Sequence, residues 1–187
     1  CLTTSSATWL QKARNRSFLE TKSVSQLIST RAPVLPSMKL EITPSAVTRL
    51  AALPGLRDLS VSTNGTQLAR LAGPLKAAGV GRVNVSLDSL RRDCMTEVTG
   101  RDSLPQILDG LMAAKAAGLA PIKINMVAMQ GVNEHDIEAM VGFCIEHGFI
   151  LRLIEAMPMG DTGRNAQYLD VQPVLARLRD TFGLVVP

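Results

Sequence analysis

The sequence predicts an α/β fold built from parallel strands joined by right-handed crossovers, with helices on the outside. Three observations carry that prediction. Short β-branched runs alternate with stretches of helical periodicity along most of the chain. Two neighbouring runs, Leu59 to Gly65 (LSVSTNG) and Arg82 to Leu90 (RVNVSLDSL), read as strands that stop abruptly in Ser, Thr, Asn, Asp and Gly. Buried strands that end in this way deliver polar groups to the carboxyl edge of a sheet, where parallel α/β proteins keep their ligands. Finally, only 3% of residues are aromatic while 46% are hydrophobic, so aliphatic side chains must form the core. That composition suits helices laid over a sheet and argues against a base-stacking nucleic-acid platform.

The elements follow in order. Residues 1–37 are rich in Ser, Thr, Lys and Arg, with Glu20 the only acid, and form a segment distinct from the core of residues 38–187. This segment reads as a transit-like leader or a disordered arm, and the chain does not begin with Met, so its true amino terminus is expected to be missing. A short amphipathic helix over Ala7 to Leu19 is the alternative. Met38 to Ile42 (MKLEI) is a candidate strand, and Thr43 and Pro44 suit the cap and first position of a helix that reaches about Leu53. After the strand Leu59 to Ser62, Gln67 to Ala78 reads as a helix broken or kinked at Gly73-Pro74 and stopped by Gly79. The strand Arg82 to Ser86 is followed by a polar segment and a helix, Leu104 to Ala117, ending at Gly118. Ile122 to Val127 is the third clear strand. Asn133 is expected to cap the next helix, with Glu134 and Asp136 near its positive end and Gly148 closing it. Ile150 to Ile154 is the fourth strand, and Val171 to Phe182 the last helix. Four clear strands cannot close an eight-stranded barrel, so the sheet is expected to be open and curved, or part of a longer barrel.

A net charge of +4 mildly favours anionic ligands, but the basic residues are scattered and form no nucleic-acid patch. Cys1, Cys94 and Cys144 have neither disulfide-framework nor metal-knuckle spacing, and a reducing compartment is the default. No apolar run is long enough to cross a bilayer, and a soluble protein is expected.

At the predicted strand ends stand Ser62-Thr63-Asn64-Gly65, then Ser86 with Asp88 and Ser89, then Lys123 with Asn125, and Glu155 followed by Met157-Pro158. Together they suggest binding of a polar anion at one rim. Each also has a plainer reading: Ser-Thr-Asn-Gly as a turn, Asp88 and Ser89 as helix caps, Met157 as core filler, Cys94 and Cys144 as small buried residues. Lys123 fits the plainer reading least well, because it interrupts an apolar strand (PIKINMV) where a buried charge needs a partner such as phosphate.

The ordered series LPGLRDLSVSTNG, LKAAGVGRVNVSLDSL, VTGRDSLPQILDGLMAAKAAGLAPIKINMVAMQGVNEHDI and LRLIEAMPMG resembles the core of the GTP 3',8-cyclase family, radical S-adenosylmethionine enzymes of molybdenum-cofactor synthesis. The resemblance covers roughly Arg49 to Gly160. It implies a partial (β/α) barrel, an incomplete TIM-like barrel, that binds GTP and S-adenosylmethionine at its strand carboxyl ends. Carried over position by position, it implies GTP contacts for Ser62 and Lys123 and S-adenosylmethionine contacts for Ser86 and Met157. The family reaction uses [4Fe-4S] clusters to cleave S-adenosylmethionine reductively, and the resulting radical abstracts a ribose hydrogen from GTP. The CxxxCxxC loop that holds the first cluster is absent from this sequence, as is the GGEP-type segment, where MKLEITP stands instead. The chain also stops before the region of the family's second cysteine set. The expectation is therefore a fragment or divergent form without cluster ligands and with no assignable catalytic residue. The alternative is a non-catalytic remnant that binds a nucleotide or a partner. A third reading is a phosphate-binding β/α enzyme using Lys123 as Schiff base or acid. Partners expected are GTP and S-adenosylmethionine, with a homodimer left open, no nucleic acid and no membrane; the compartment expected is cytoplasmic or mitochondrial.

Overall fold

A computed structural model describes residues 19–21, 44–56, 58–156 and 167–183. Within them, parallel strands and intervening helices alternate as the sequence predicts. The elements are β1 (Leu19–Thr21), α1 (Pro44–Ala51), β2 (Ser60–Thr63), α2 (Leu68–Ala77), β3 (Arg82–Ser86), α3 (Arg92–Thr99), α4 (Leu104–Ala116), β4 (Ile122–Gln130), α5 (Ile137–His147), β5 (Ile150–Glu155), β6 (Gln167–Tyr168) and α6 (Val171–Phe182). The sheet runs β1-β5-β4-β3-β2, every neighbour pair parallel, and β6 lies antiparallel to the far end of β4.

Strand alternation divides the sheet into two faces. One carries Val83, Val85, Ile122, Ile124, Met126, Leu151 and Leu153, all almost completely buried. The helices bring Leu68, Leu75, Ile107, Leu111, Met140, Val141 and Leu178 into the same core. The other face carries Ser62, Asn84, Ser86, Lys123, Asn125 and Arg152, none of them fully buried. Carboxyl ends of all the parallel strands lie at one rim, so this face and its rim are available to a ligand. No helix among the described residues is long and apolar enough to cross a membrane.

Four expectations change. Of the break or kink expected at Gly73-Pro74, the break is absent: α2 continues through both residues to Ala77. Gly73 has no Cβ to clash with the proline ring, and both residues are exposed, so water can satisfy the carbonyl that Pro74 cannot serve. Asn133 makes no side-chain cap; a single 3₁₀ turn, Glu134–Asp136, precedes α5, and the Asn133 amide is spent elsewhere. Neither Asp88 nor Ser89 is the N-cap of α3, a position taken by Arg91. The polar segment after β3 contains α3 itself, a two-turn helix with Cys94 and Met95 buried. Gly79, Gly118 and Gly148 do follow or close their helices in the left-handed conformation as expected. The candidate strand MKLEI, the cap Thr43 and nearly all of the Ala7 to Leu19 helix lie outside the described residues; Leu19 opens β1.

Candidate functional site

Strand register builds the site in two rows across the polar face. In the lower row Ser62 pairs with Asn84, and Asn84 with Lys123. The Asn84 Nδ2 donates to Ser62 Oγ at 3.2 Å, linking two of the three side chains. In the upper row Ser86 pairs with Asn125, and Asn125 with Arg152. Asn125 Oδ1 is buried and has no hydrogen-bond partner among the described residues. A buried amide oxygen in that state is costly, by about 1–3 kcal/mol, unless a donor reaches it. Hydroxyls, amides, an ammonium and a guanidinium on neighbouring strands make a surface suited to a polar ligand with anionic groups.

The turn after β2 fixes the edge of this surface. Thr63 Oγ1 accepts from Gly65 N at 3.1 Å, and Asn64 Oδ1 accepts from Thr66 N at 3.2 Å and Thr66 Oγ1 at 2.9 Å. Gly65 has φ +81°, which the turn needs. A second glycine holds the turn in place: a Cβ on Gly110, inside α4, would lie 2.6 Å from the Gly65 carbonyl oxygen. The helix can approach the turn only because Gly110 has no side chain.

A buried polar junction joins the ends of β3 and β4. Leu87 N donates to Asn125 O at 3.0 Å, continuing the ladder past Ser86. There the main chain leaves the sheet, and Asp88 Oδ1 accepts from Val127 N at 2.8 Å. Asn133, fully buried, accepts from Met129 N through Oδ1 and donates through Nδ2 to the carbonyls of Asp88 and Val127, each at 2.8 Å. Ser89 Oγ donates to Asp136 Oδ2 at 2.5 Å and accepts from Arg91 N at 2.9 Å, and Arg91 Nε reaches Asp136 Oδ1 at 2.9 Å. Burial pushes the Asp88 carboxyl above its ordinary range, with the Val127 N–H pulling the other way. Asp136, and secondarily Asp93, hold Arg91 more firmly protonated.

The sequence-predicted residues fall as follows. Ser62 and Lys123 share the lower row, and Ser86 stands in the upper one; Lys123 lies at the amino end of β4 and Asn125 within the strand, not at its carboxyl end as expected, because β4 continues to Gln130. Lys123 is half-buried on the polar face, not trapped in a covered apolar layer; the apolar look of PIKINMV comes from the opposite face of the same strand. Met157 lies outside the described residues. Asn84 and Arg152 were not foreseen, although the two-residue period of RVNVS and ILRLIE places them beside the residues that were. Gly110 was read only as part of a helix.

Iron–sulfur ligation does not fit these residues. Among the described residues no three His, Cys, Asp or Glu side chains are grouped as a metal site. Cys94 and Cys144 are buried, and burial pushes the Cys144 thiol up to about 12, far from the thiolate a cluster needs. Ser86 and Asn125, by contrast, offer the hydroxyl and acceptor that an amino-acid or ribose group of an adenosyl cofactor can use.

Comparison with known proteins narrows the reading. The chain is 43% identical over 140 residues to GTP 3',8-cyclase of Pseudomonas fluorescens, an alignment covering 73% of this chain and 42% of the relative. It is 48% identical over 129 residues to GTP 3',8-cyclase of Paracoccus denitrificans, covering 69% of the chain and 37% of the relative. With GTP 3',8-cyclase 2 of Mycobacterium tuberculosis the identity is 45% over 142 residues, covering 75% and 39%. The matched part thus spans about two fifths of the length of these curated relatives. The family model of the Radical SAM superfamily matches residues 31–144, more than half of the sequence and most of the β/α repeats described above; the chain belongs to the radical SAM superfamily.

Proposed function

We propose that this chain is a GTP 3',8-cyclase-like domain of molybdenum-cofactor synthesis whose polar sheet face binds GTP and S-adenosylmethionine. The observation that supports it best is the cross-strand arrangement: Ser62 and Lys123, the two residues assigned to GTP, occupy one row, and Ser86, assigned to S-adenosylmethionine, occupies the next. The Lys123 ammonium pairs with the triphosphate, and the Ser62 hydroxyl, positioned by Asn84, fixes the nucleotide beside it. Ser86 and the buried Asn125 Oδ1 serve polar groups of S-adenosylmethionine, with Met157 as a further contact. Radical generation in the superfamily depends on an iron–sulfur cluster that the described residues do not hold, so the reading covers binding and orientation of the two ligands. A homodimer belongs to the same reading and is measured by sedimentation velocity.

Isothermal titration of the chain with GTP, and separately with S-adenosylmethionine, tests it. Saturable binding of each is expected. Lys123→Ala should weaken GTP about ten- to hundredfold, the loss of about 1.5–3 kcal/mol typical of a hydrogen bond to a charged group. A folded chain that binds neither ligand would overturn the proposal.

A further inference from the structure

The junction between β3 and β4 contains a substitution of side chain for main chain. In a parallel ladder, donors of one strand meet carbonyls of its neighbour at regular intervals. Here β3 ends at Ser86 while β4 runs on to Gln130. Leu87 N takes the Asn125 carbonyl, and the next donor on β4, Val127 N, is met by Asp88 Oδ1 instead of a β3 carbonyl. Asn133 closes the same junction from the other side, tying the Asp88 carbonyl to the Val127 carbonyl through one Nδ2 and holding Met129 N with its Oδ1. Thus the chain leaves β3 directly after Ser86 while Asn125 O, Val127 N, Val127 O and Met129 N each keep a partner.

We propose that Asp88 is a positioning residue: by replacing the missing ladder acceptor, it ends β3 at Ser86 and holds Ser86 beside Asn125 on the polar face. The proposal rests on the reading that this rim binds S-adenosylmethionine, and it adds a residue that itself touches no ligand. Without the Asp88 acceptor, Val127 N is left unmet in a partly buried site and the Ser86–Leu87–Asp88 segment is held to β4 by the Leu87 N to Asn125 O bond without the Asp88 side chain beside it. The Asn carboxamide keeps an oxygen at the same place, so the role requires an acceptor and not a charge.

Two measurements on the full chain test this, with Asp88→Ala and Asp88→Asn. First, amide hydrogen exchange by NMR: Asp88→Ala should lower Val127 protection at least tenfold and shift the Ser86 and Asn125 amide resonances, while Asp88→Asn keeps all three near wild type. Second, titration with S-adenosylmethionine: Asp88→Ala should weaken binding at least tenfold with a folded core, and Asp88→Asn should restore it to within about threefold of wild type. Unchanged Val127 protection in Asp88→Ala would overturn the junction itself, and lost protection with unchanged affinity would overturn its positioning role. If Asp88→Ala does not fold, Asp88→Asn decides alone: retained protection and affinity support the proposal, and loss of either overturns it. Wild-type chain that fails to bind S-adenosylmethionine would refute the rim reading, while the exchange measurement still decides whether Asp88 fixes the strand end.

Discussion

The two faces of the sheet obey different rules. On the helix-covered face, Val85, Ile124, Met126, Leu151 and Leu153 are almost wholly removed from water, and their contribution is apolar area and close packing. On the opposite face the same strands present Ser62, Asn84, Ser86, Lys123, Asn125 and Arg152, and one of these, Asn125, carries a buried acceptor without a partner among the described residues. A protein selected for stability alone gains nothing from such an acceptor. The strands are a shared wall: one side holds the fold, and the other carries the polar groups proposed to meet a ligand. Substitutions on the two sides should therefore separate stability from binding.

The largest effect is expected on the helix-covered side. Leu111, with no exposed surface, lies in the core between α4 and the sheet, and Leu111→Ala should cost about 2–5 kcal/mol of unfolding free energy, read by urea denaturation. Ligand affinity of the folded fraction should stay unchanged, because Leu111 belongs to the helix-covered core and the row residues stand on the opposite face of the sheet.

Gly110→Ala sits where the two sides communicate. Its new Cβ would meet the Gly65 carbonyl at 2.6 Å, so α4 or the turn after β2 must move. The expected cost is about 1–3 kcal/mol, typical of overpacking, accompanied by weaker GTP binding because the turn carries the end of the Ser62 strand. Loss of stability with unaltered GTP affinity would separate the turn from the site.

Asp88→Asn should give the smallest change, and in the stabilising direction. Burial raises the Asp88 carboxyl above the ordinary 3.8, so its folded form holds a proton at pH values where the unfolded form has released it. The contribution of the group to stability is complete below the unfolded pKa and is lost as pH rises through the raised folded value. The neutral Asn should therefore be more stable than wild type at pH 7, with the difference shrinking as pH falls toward 3.8. Parallel urea titrations at pH 4 and pH 7 measure it; a gap that widens toward acid would contradict this account of Asp88.

Much of this was legible in the sequence, for local reasons. The strands at Arg82–Ser86 and Ile122 onward, the helix Val171–Phe182 and the terminating glycines follow from period, β-branching and backbone freedom within a few residues. Ser62 and Ser86 were marked by their positions at strand carboxyl ends, Lys123 by its charge within an apolar run, and all three by the family resemblance. What was not legible depends on distant partners. Asn133 has the composition and place of a helix cap, but its amide is drawn to Asp88 and Val127, one of them 45 residues away. Asp88 looks like a cap for α3 and instead completes a ladder 39 residues on. Gly110 reads as a weak spot in a helix until the Gly65 carbonyl is seen beside it. In each case the residue type announced an unusual demand, and only the fold showed which group made it.

The most direct test of the two-faced sheet is one calorimetric comparison: GTP titrated into wild type, Lys123→Ala and Leu111→Ala at a temperature where all three are folded. Lys123→Ala should weaken GTP about tenfold or more while keeping wild-type stability, and Leu111→Ala should bind GTP like wild type despite its lower stability. Equal GTP affinity in wild type and Lys123→Ala, or a loss confined to Leu111→Ala, would contradict the assignment of binding to the polar face.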